Sequence, residues 1–213
     1  MRPSTAKSGQ SAARGEQVLD AAARVFARQG YEGTSIDDIA DELGSTKGRV
    51  YHYYRSKSDM LLGVLNAGSH KLIDVVRPLS EDASLSPAER LRNMARAHAM
   101  TMMTHHSYQY VTLRSLDQHL HEGPRSSQSD WEAIRVLRDE YEGLFQGVLE
   151  AGCKDGSLST DDVRLAVRGV LGALNWITVW YRPEASGAGD RRSAETIAES
   201  LSRFVVEGVQ GES

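Results

Sequence analysis

The sequence predicts an all-α fold in two parts, a trio of short N-terminal helices and a larger helical remainder. Three observations predict it. Apolar residues recur at steps of three and four in every long segment, as they do on one face of a helix. Glycine, serine and proline fall between those segments. No stretch alternates apolar and polar residues as a half-buried strand would.

The elements follow in order. Residues 1–13 are small and polar and are expected to form a disordered arm. Val18, Leu19, Ala22, Val25 and Phe26 line one face of a first helix, which RQGYEG ends at glycine. In TSIDDIADELG, Thr34 or Ser35 can cap a second helix, and Asp37 and Asp38 suit its first turn. Ile36, Ile39, Ala40 and Leu43 form its apolar face, and Gly44 closes it. After GST the chain restarts at once as KGRVYHYY. RSKSDM then opens a fourth helix, with Ser56 as cap and Asp59 three residues on. Two short helices about a glycine turn make a helix-turn-helix signature, which any tight helical hairpin shares. The boundaries expected are an arm at 1–13, this domain at 14–60 and a second domain at 61–213.

The second domain continues in helices. SPAERLRNMARAHAMTMMTHH and SYQYVTLRSLDQHL flank a short break. Trp131, Ile134, Leu137, Tyr141, Leu144, Phe145 and Val148 then step by three or four up to Gly152 and Gly156. STDDVRLAVRGVLGALNWITVWYRP is the most apolar segment. The last helix carries Ile197, Leu201, Phe204 and Val205.

Charge separates the two parts. The chain has 213 residues and a formal net charge of -4. Residues 1–60 hold nine Lys/Arg against eight Asp/Glu, and the remainder holds sixteen against twenty-one. Within that near-neutral front, Lys47, Arg49, Arg55 and Lys57 crowd around Tyr51, Tyr53 and Tyr54, with no acid between Glu42 and Asp59. Such a cluster suits a phosphate backbone, and an acidic body limits adhesion to DNA elsewhere. The single cysteine, Cys153, cannot staple its own chain and has no histidine–aspartate partner nearby. No apolar run is long enough to span a bilayer, and the N-terminus lacks the apolar core of a signal peptide. A cytoplasmic location is expected, with no cofactor and no membrane partner.

VLDAAARVFARQGYEGTSIDDIADELGSTKGRVYHYYRSKSDML, spanning roughly residues 15–65, resembles the N-terminal domain of TetR-family transcriptional regulators. The resemblance includes the FARQGYEGTS turn, the IADELG helix, the KGRVYHYY recognition helix and the SKSDML entry to the next helix. Ser45 departs from it, standing where the family more often has a small apolar residue. The resemblance implies a helical homodimer that binds an inverted-repeat operator in double-stranded DNA, with a C-terminal domain that pairs subunits and holds a ligand. A recognition helix lies in the major groove with its N-terminal side chains at base edges. Ser45, Thr46, Lys47, Gly48 and Arg49 occupy that end. Lys47, Arg49 and Thr46 are the expected base readers. Gly48 permits close approach, and Tyr51 and His52 can reach phosphate one turn on. Lys57 and Thr34, at helix N-termini, are expected to meet phosphate too. Val50 and Tyr54 read as core, Tyr53 as either, and Arg55 as a surface charge. The arm cations Arg2, Lys7 and Arg14 precede the first acid, Glu16.

In the C-terminal half, WYRPE with RDEYEGLFQGVLEAGCKDGSLSTD is more loosely similar to a TetR subgroup that responds to acyl-coenzyme A thioesters or related lipid and steroid catabolites. A thioester site needs an apolar tunnel and cations at its mouth. Met100, Met103, Tyr108, Tyr110, Leu113, Tyr141, Phe145, Trp176 and Trp180 are expected to line the tunnel. Arg114, Arg138 and Arg182 are expected to meet phosphate. A multidrug sensor would share the apolar lining without the converging cations. Gly169, Gly172 and Ala173 permit close helix approach, so Val170, Leu174, Ile177, Leu201, Phe204 and Val205 are expected at an isologous dimer interface, where buried core is the rival reading. His98, His105, His106, His119 and His121 have no metal-ligand spacing, so no metal is expected. With Asp117 or Glu122 they would be the best acid–base candidates of a helical enzyme, but no nucleophile–base pair accompanies them. A helical adaptor without DNA recognition would not need the intact cation cluster.

Overall fold

The computed structural model describes residues 5–122, 128–182 and 193–210, without the side chains of 5–10, 117–122 and 128–130. Among these residues the chain is helical throughout: α1 (Thr5–Gln29), α2 (Ile36–Glu42), α3 (Lys47–Tyr53), α4 (Lys57–Ser80), α5 (Pro87–Thr104), α6 (His106–Glu122), α7 (Gln128–Asp155), α8 (Val163–Asn175), α9 (Ile177–Trp180) and α10 (Ala194–Glu207). One isolated antiparallel bridge, Leu158 to Gln210, ties the end of the chain to the loop after α7.

The helices begin where side chains satisfy their free amides. Ser35, not Thr34, caps α2 in a reciprocal box with Asp38, and Ser86 does the same with Glu89 at α5. Ser56, Asp162 and Ser193 cap α4, α8 and α10. Gly30 and Gly44 take positive φ after α1 and α2, where a side chain would be strained. After α2 the amides of Gly44 and Ser45 return to the carbonyls of Asp41 and Ala40, the doubled bond pattern of a tight helix end. α1 begins at Thr5, so residues 5–13 are helical, not a disordered arm. Ala6, Lys7, Gln10, Ala12 and Ala13 favour the helix they extend. Residues 1–4, Arg2 among them, lie outside the described residues.

Two cores form. The first joins Val18, Ala22, Val25 and Phe26 of α1 to Ile39, Val50, Met60 and Val64, and reaches Tyr108, Val111 and Ile134 of the C-terminal half. The second collects Ile73 and Val76 of α4 with the inner faces of α5, α7, α8 and α10. α4 therefore enters both. α6 packs on α1 and α4, Tyr108 donates to Asp20 of α1 at 2.8 Å, and the buried Gln109 donates to the Gly68 carbonyl at 2.9 Å. Arg24 and Arg28 both hold Glu42, at 2.6 and 2.7 Å, fixing α2 against α1.

Gly68 sits where α4 and α6 approach most closely. A Cβ there would lie 2.6 Å from Thr112 Oγ1, whereas one at Gly147 would meet nothing. Gly68→Ala is expected to destabilise by about 1–3 kcal/mol through overpacking, despite a helix-propensity gain of up to about 1 kcal/mol. Gly147→Ala should show the gain alone, and paired urea unfolding curves compare the two. Hydrogen bonds from Arg24 and then Arg28 hold the Glu42 carboxyl below the usual glutamate range. Its contribution is thus complete above the unfolded-chain value and is lost as pH falls through the lower folded value. Glu42→Gln should make the acid limb of the stability profile shallower, as read from unfolding midpoints between neutral and acid pH.

Candidate DNA interface and effector groove

α3 presents one face to α1 and the other to solvent. Val50 is fully buried and anchors the inner face. Tyr53 and Tyr54 are half-buried, and both lie against Gly15 of α1. Thr46, Lys47, Gly48, Arg49, Tyr51 and His52 are exposed on the outer side. A Cβ at Gly48 would meet only Thr46 Oγ1, at 3.9 Å, so nothing inside the protein requires glycine there. Thr46 begins α3 without a side-chain capping bond. Lys47 reaches Asp37 of α2 at 2.7 Å in an exposed pair, which raises the lysine pKa. Exposed pairs of this kind exchange readily for another anion. Arg49 reaches Gln17 at 3.5 Å. His52 stands edge-on to Tyr53.

Behind this surface a groove of about 830 Å³ opens between α1, α4 and the α5–α6 turn. Arg24, Arg28, Lys71 and Arg182 line it, with Met103, Tyr108 and Tyr110. Its acids are Glu16 and Asp20; Lys71 lies 3.8 Å from Glu16 and over the Tyr108 ring at 5.0 Å. His105 and His106 complete the rim. Burial lowers the pKa of both, and Lys71 lowers that of His105 further. His106 Nε2 lies 3.2 Å from the Thr178 carbonyl, and its ring stacks on Tyr110. The groove thus touches the domain that carries α3 and the one that does not.

Residues 18–64 match the family model of bacterial regulatory proteins of the tetR family, and residues 84–209 match that of a tetracyclin repressor-like C-terminal domain. The chain belongs to the TetR family. It is a ligand-responsive DNA-binding regulator. The chain is 32% identical, over 97% of its length and 96% of the other, to an HTH-type transcriptional repressor, KstR2, of Rhodococcus jostii. It superposes on the ketosteroid transcriptional regulator KstR2 of Mycobacterium tuberculosis with a TM-score of 0.79 at 26% identity, over 93% of this chain and 96% of that one. AibR, in complex with isovaleryl coenzyme A and operator DNA, superposes with a TM-score of 0.71 at 25% identity, over 90% and 97%.

Several expected site residues of this TetR protein have other work. Thr34 is buried and donates to the Gly30 carbonyl at 2.6 Å, so it is not free for phosphate. Lys57 donates to the carbonyls of Tyr31, Thr34 and Glu32 and lies over the Tyr31 ring, closing the α1–α2 turn onto α4. Three carbonyls use all three ammonium donors. Ser45 is half-buried, and its amide serves the end of α2. Of the expected effector residues, Met103, Tyr108, Tyr110 and Arg182 line the groove. Tyr141 and Phe145 are deep core, and Met100 is half-buried against that core. Trp176 and Trp180 are 61% and 43% exposed, so they line no interior tunnel. Arg114 is exposed, and Arg138 pairs with Glu142 one turn away on α7. Of the expected dimer residues, Val170, Leu174, Ile177 and Val205 are buried within the protomer and Leu201 is half-buried. Phe204 faces outward with Leu165, Trp176, Val179 and Trp180.

The histidines scatter. His98 is core, His106 pins α9, and the side chains of His119, His121, Asp117 and Glu122 lie outside the described residues. Arg24, Arg28 and Lys71 gave no signal in the sequence, because the α5–α6 turn they meet lies roughly eighty residues from the two arginines and more than thirty from the lysine.

Lys47 and Lys57 offer opposed tests. Lys47→Ala should leave the unfolding midpoint in place, weaken specific DNA binding by roughly tenfold or more, and make the salt dependence shallower. Lys57→Met should cost roughly 1–3 kcal/mol of stability, since it strands backbone carbonyls. Urea unfolding and DNA titrations across a salt series separate the two.

Proposed function

We propose that this protein is a cytoplasmic homodimeric repressor, without enzymatic activity, that binds an inverted-repeat operator and leaves it when an acyl-coenzyme A thioester occupies the groove beside α1. The observation that carries the effector class is the convergence of Arg24, Arg28, Lys71 and Arg182 on one groove that also holds Met103, Tyr108 and Tyr110. A coenzyme A moiety brings phosphates that cations recognise and an acyl chain that apolar side chains accept. A multidrug sensor would need only the second. AibR's isovaleryl coenzyme A supports the same class.

Base reading falls to Thr46, Lys47 and Arg49, and phosphate contact to Tyr51 and His52, around the open Gly48. The dimer face is the outer side of α8 to α10. Leu165, Phe204, Trp176, Val179 and Trp180 expose apolar surface there, and Gly169 and Gly172 leave open space beyond their backbones. Pairing two such faces by a two-fold axis would bury these side chains in a packed four-helix contact.

Selection of bound sequences from random double-stranded DNA at physiological salt is expected to enrich an inverted repeat, with half-sites about 34–36 Å apart or a multiple of that. Adding long-chain acyl-coenzyme A should release the selected DNA, and free coenzyme A should not. An enriched repeat indifferent to the thioester would remove the effector class and leave the operator reading. No enrichment would remove both.

A further inference from the structure

His98 is fully buried near the middle of α5. Its Nδ1 lies 2.7 Å from the Tyr141 hydroxyl. Its Nε2 is buried with no hydrogen-bond partner. The Asn175 amide lies beside the ring and favours its charged form, yet it does not meet Nε2 in bonding geometry. Burial outweighs it and takes the imidazole pKa down to about 3, so the ring carries one proton at neutral pH. Burial also keeps the Tyr141 phenol protonated.

The pair has two arrangements. If Nδ1–H donated to Tyr141, the buried phenol proton and Nε2 would both be stranded. If Tyr141 donates to Nδ1, only one group is left over, an Nε2–H donor. The second arrangement strands fewer groups and is favoured. With Arg90 Nε and Thr112 Oγ1, His98 Nε2 is one of three buried side-chain polar atoms without a partner among the described residues, and a buried donor calls for an acceptor.

The surroundings can make room for one. Four of the chain's six methionines, Met94, Met100, Met102 and Met103, lie on α5. Met94 and Met102 flank His98 at four-residue steps on the same face. Methionine repacks more readily than any branched side chain. Met103 belongs to this core and also lines the groove beside α1. Along the helix it stands about 7–8 Å from His98. The groove floor and the stranded donor are thus joined by movable side chains.

We propose that His98 Nε2–H binds a carbonyl oxygen on the buried part of the effector, so that the cognate acyl group is oxygenated rather than plain hydrocarbon. The proposal rests on the acyl-thioester reading above. It places a specificity-determining residue, supported by Tyr141, at the inner end of a path that starts at the groove.

The test uses the full-length dimer with its selected operator. The probes are octanoyl-coenzyme A and oxo-octanoyl isomers that differ in ketone position. At least one ketone should release operator at about tenfold lower concentration than the plain chain, and it should shift the His98 imidazole resonances in heteronuclear NMR. His98→Leu should abolish that preference, and so should the double variant His98→Leu/Tyr141→Phe, which strands no phenol and is expected to hold the unfolding midpoint because both partners of the buried hydrogen bond are replaced by apolar groups. Tyr141→Phe, which frees the imidazole proton to move, should reduce the preference in the same direction. A purely structural His98 would instead leave the ratio of ketone to plain chain unchanged in these variants, which overturns the proposal. Equal release by all probes with unmoved His98 signals also overturns it and leaves the thioester class intact. Should no thioester release operator, the effector reading fails by itself. The His98 proposal is then decided with cyclohexanone against methylenecyclohexane: a saturable shift of the imidazole signals with the ketone alone keeps it, and no such shift overturns it.

Discussion

α4 is buried in two cores at once, and that constraint governs the rest of the molecule. Met60, Leu61, Val64 and Leu65 fill the core beneath α3, while Ile73 and Val76 fill the core of the C-terminal half. A helix of 24 residues is about 36 Å long, and the one proline of α4, Pro78, falls in its last turn, beyond the residues that fill the two cores. The α3 surface therefore has little orientation of its own. Its attitude is set through α2 and α1, on which α3 packs, with Lys57 tying the α1–α2 turn to the start of α4. α6 adds a second constraint through Tyr108–Asp20 and Gln109–Gly68. Both bonds cross between the halves, and they adjoin the groove beside α1 and the close approach at Gly68 respectively.

This arrangement explains why the exposed face of α3 is so sparsely engaged. A recognition surface must be fixed as a body while its outer side chains stay available. Val50 and the half-buried Tyr53 and Tyr54 supply the fixing. Lys47 and Arg49 hold exposed partners, Asp37 and Gln17, contacts that are given up at small cost. Arg24 and Arg28 are exposed as well, but they share Glu42 and steady α2 from the groove side. An anion entering the groove would compete for these two guanidiniums, and the α1–α2 clamp would feel the competition.

The sequence carried the parts of this picture that depend on neighbours in the chain. Ser35 with Asp38, Ser56 with Asp59, the glycine after α2 and the apolar faces of α1 and α2 are local patterns, and each is where its pattern put it. What escaped depends on distant partners. Lys57 looks like a free cation until the carbonyls of Tyr31 and Thr34, more than twenty residues away, arrive beside it. Thr34 and Ser35 are equivalent caps in one dimension, and only the fold turns Thr34 inward to Gly30. In the last helices, periodicity showed an apolar stripe but not what covers it. Val170, Leu174 and Ile177 point into the protomer, whereas Leu165, Trp176 and Trp180 lie around the helix on its outer side. A tryptophan in an apolar segment reads as lining until the other side of that segment is known.

Release of DNA sets an energetic demand that the fold can meet. Moving a two-state population from 1:99 to 99:1 takes about 5.5 kcal/mol of differential binding. Charge contacts in an open, half-solvated groove are screened and supply little of that. Apolar burial supplies more, at about 25 cal/mol per Å², but only if the acyl chain passes into the core in one state and not the other. The displacement required is small. A rotation of about 5° at the C-terminal end of a 36 Å lever moves its other end by about 3 Å, close to the roughly 3.4 Å rise of one base pair. In a two-fold dimer both recognition helices move, so the shift in their separation can double. On the proposed effector reading, an acyl chain that opened the methionine-lined interior next to α4 would couple a local repacking to a misfit of about two base pairs at the operator. Nothing between the two needs to unfold.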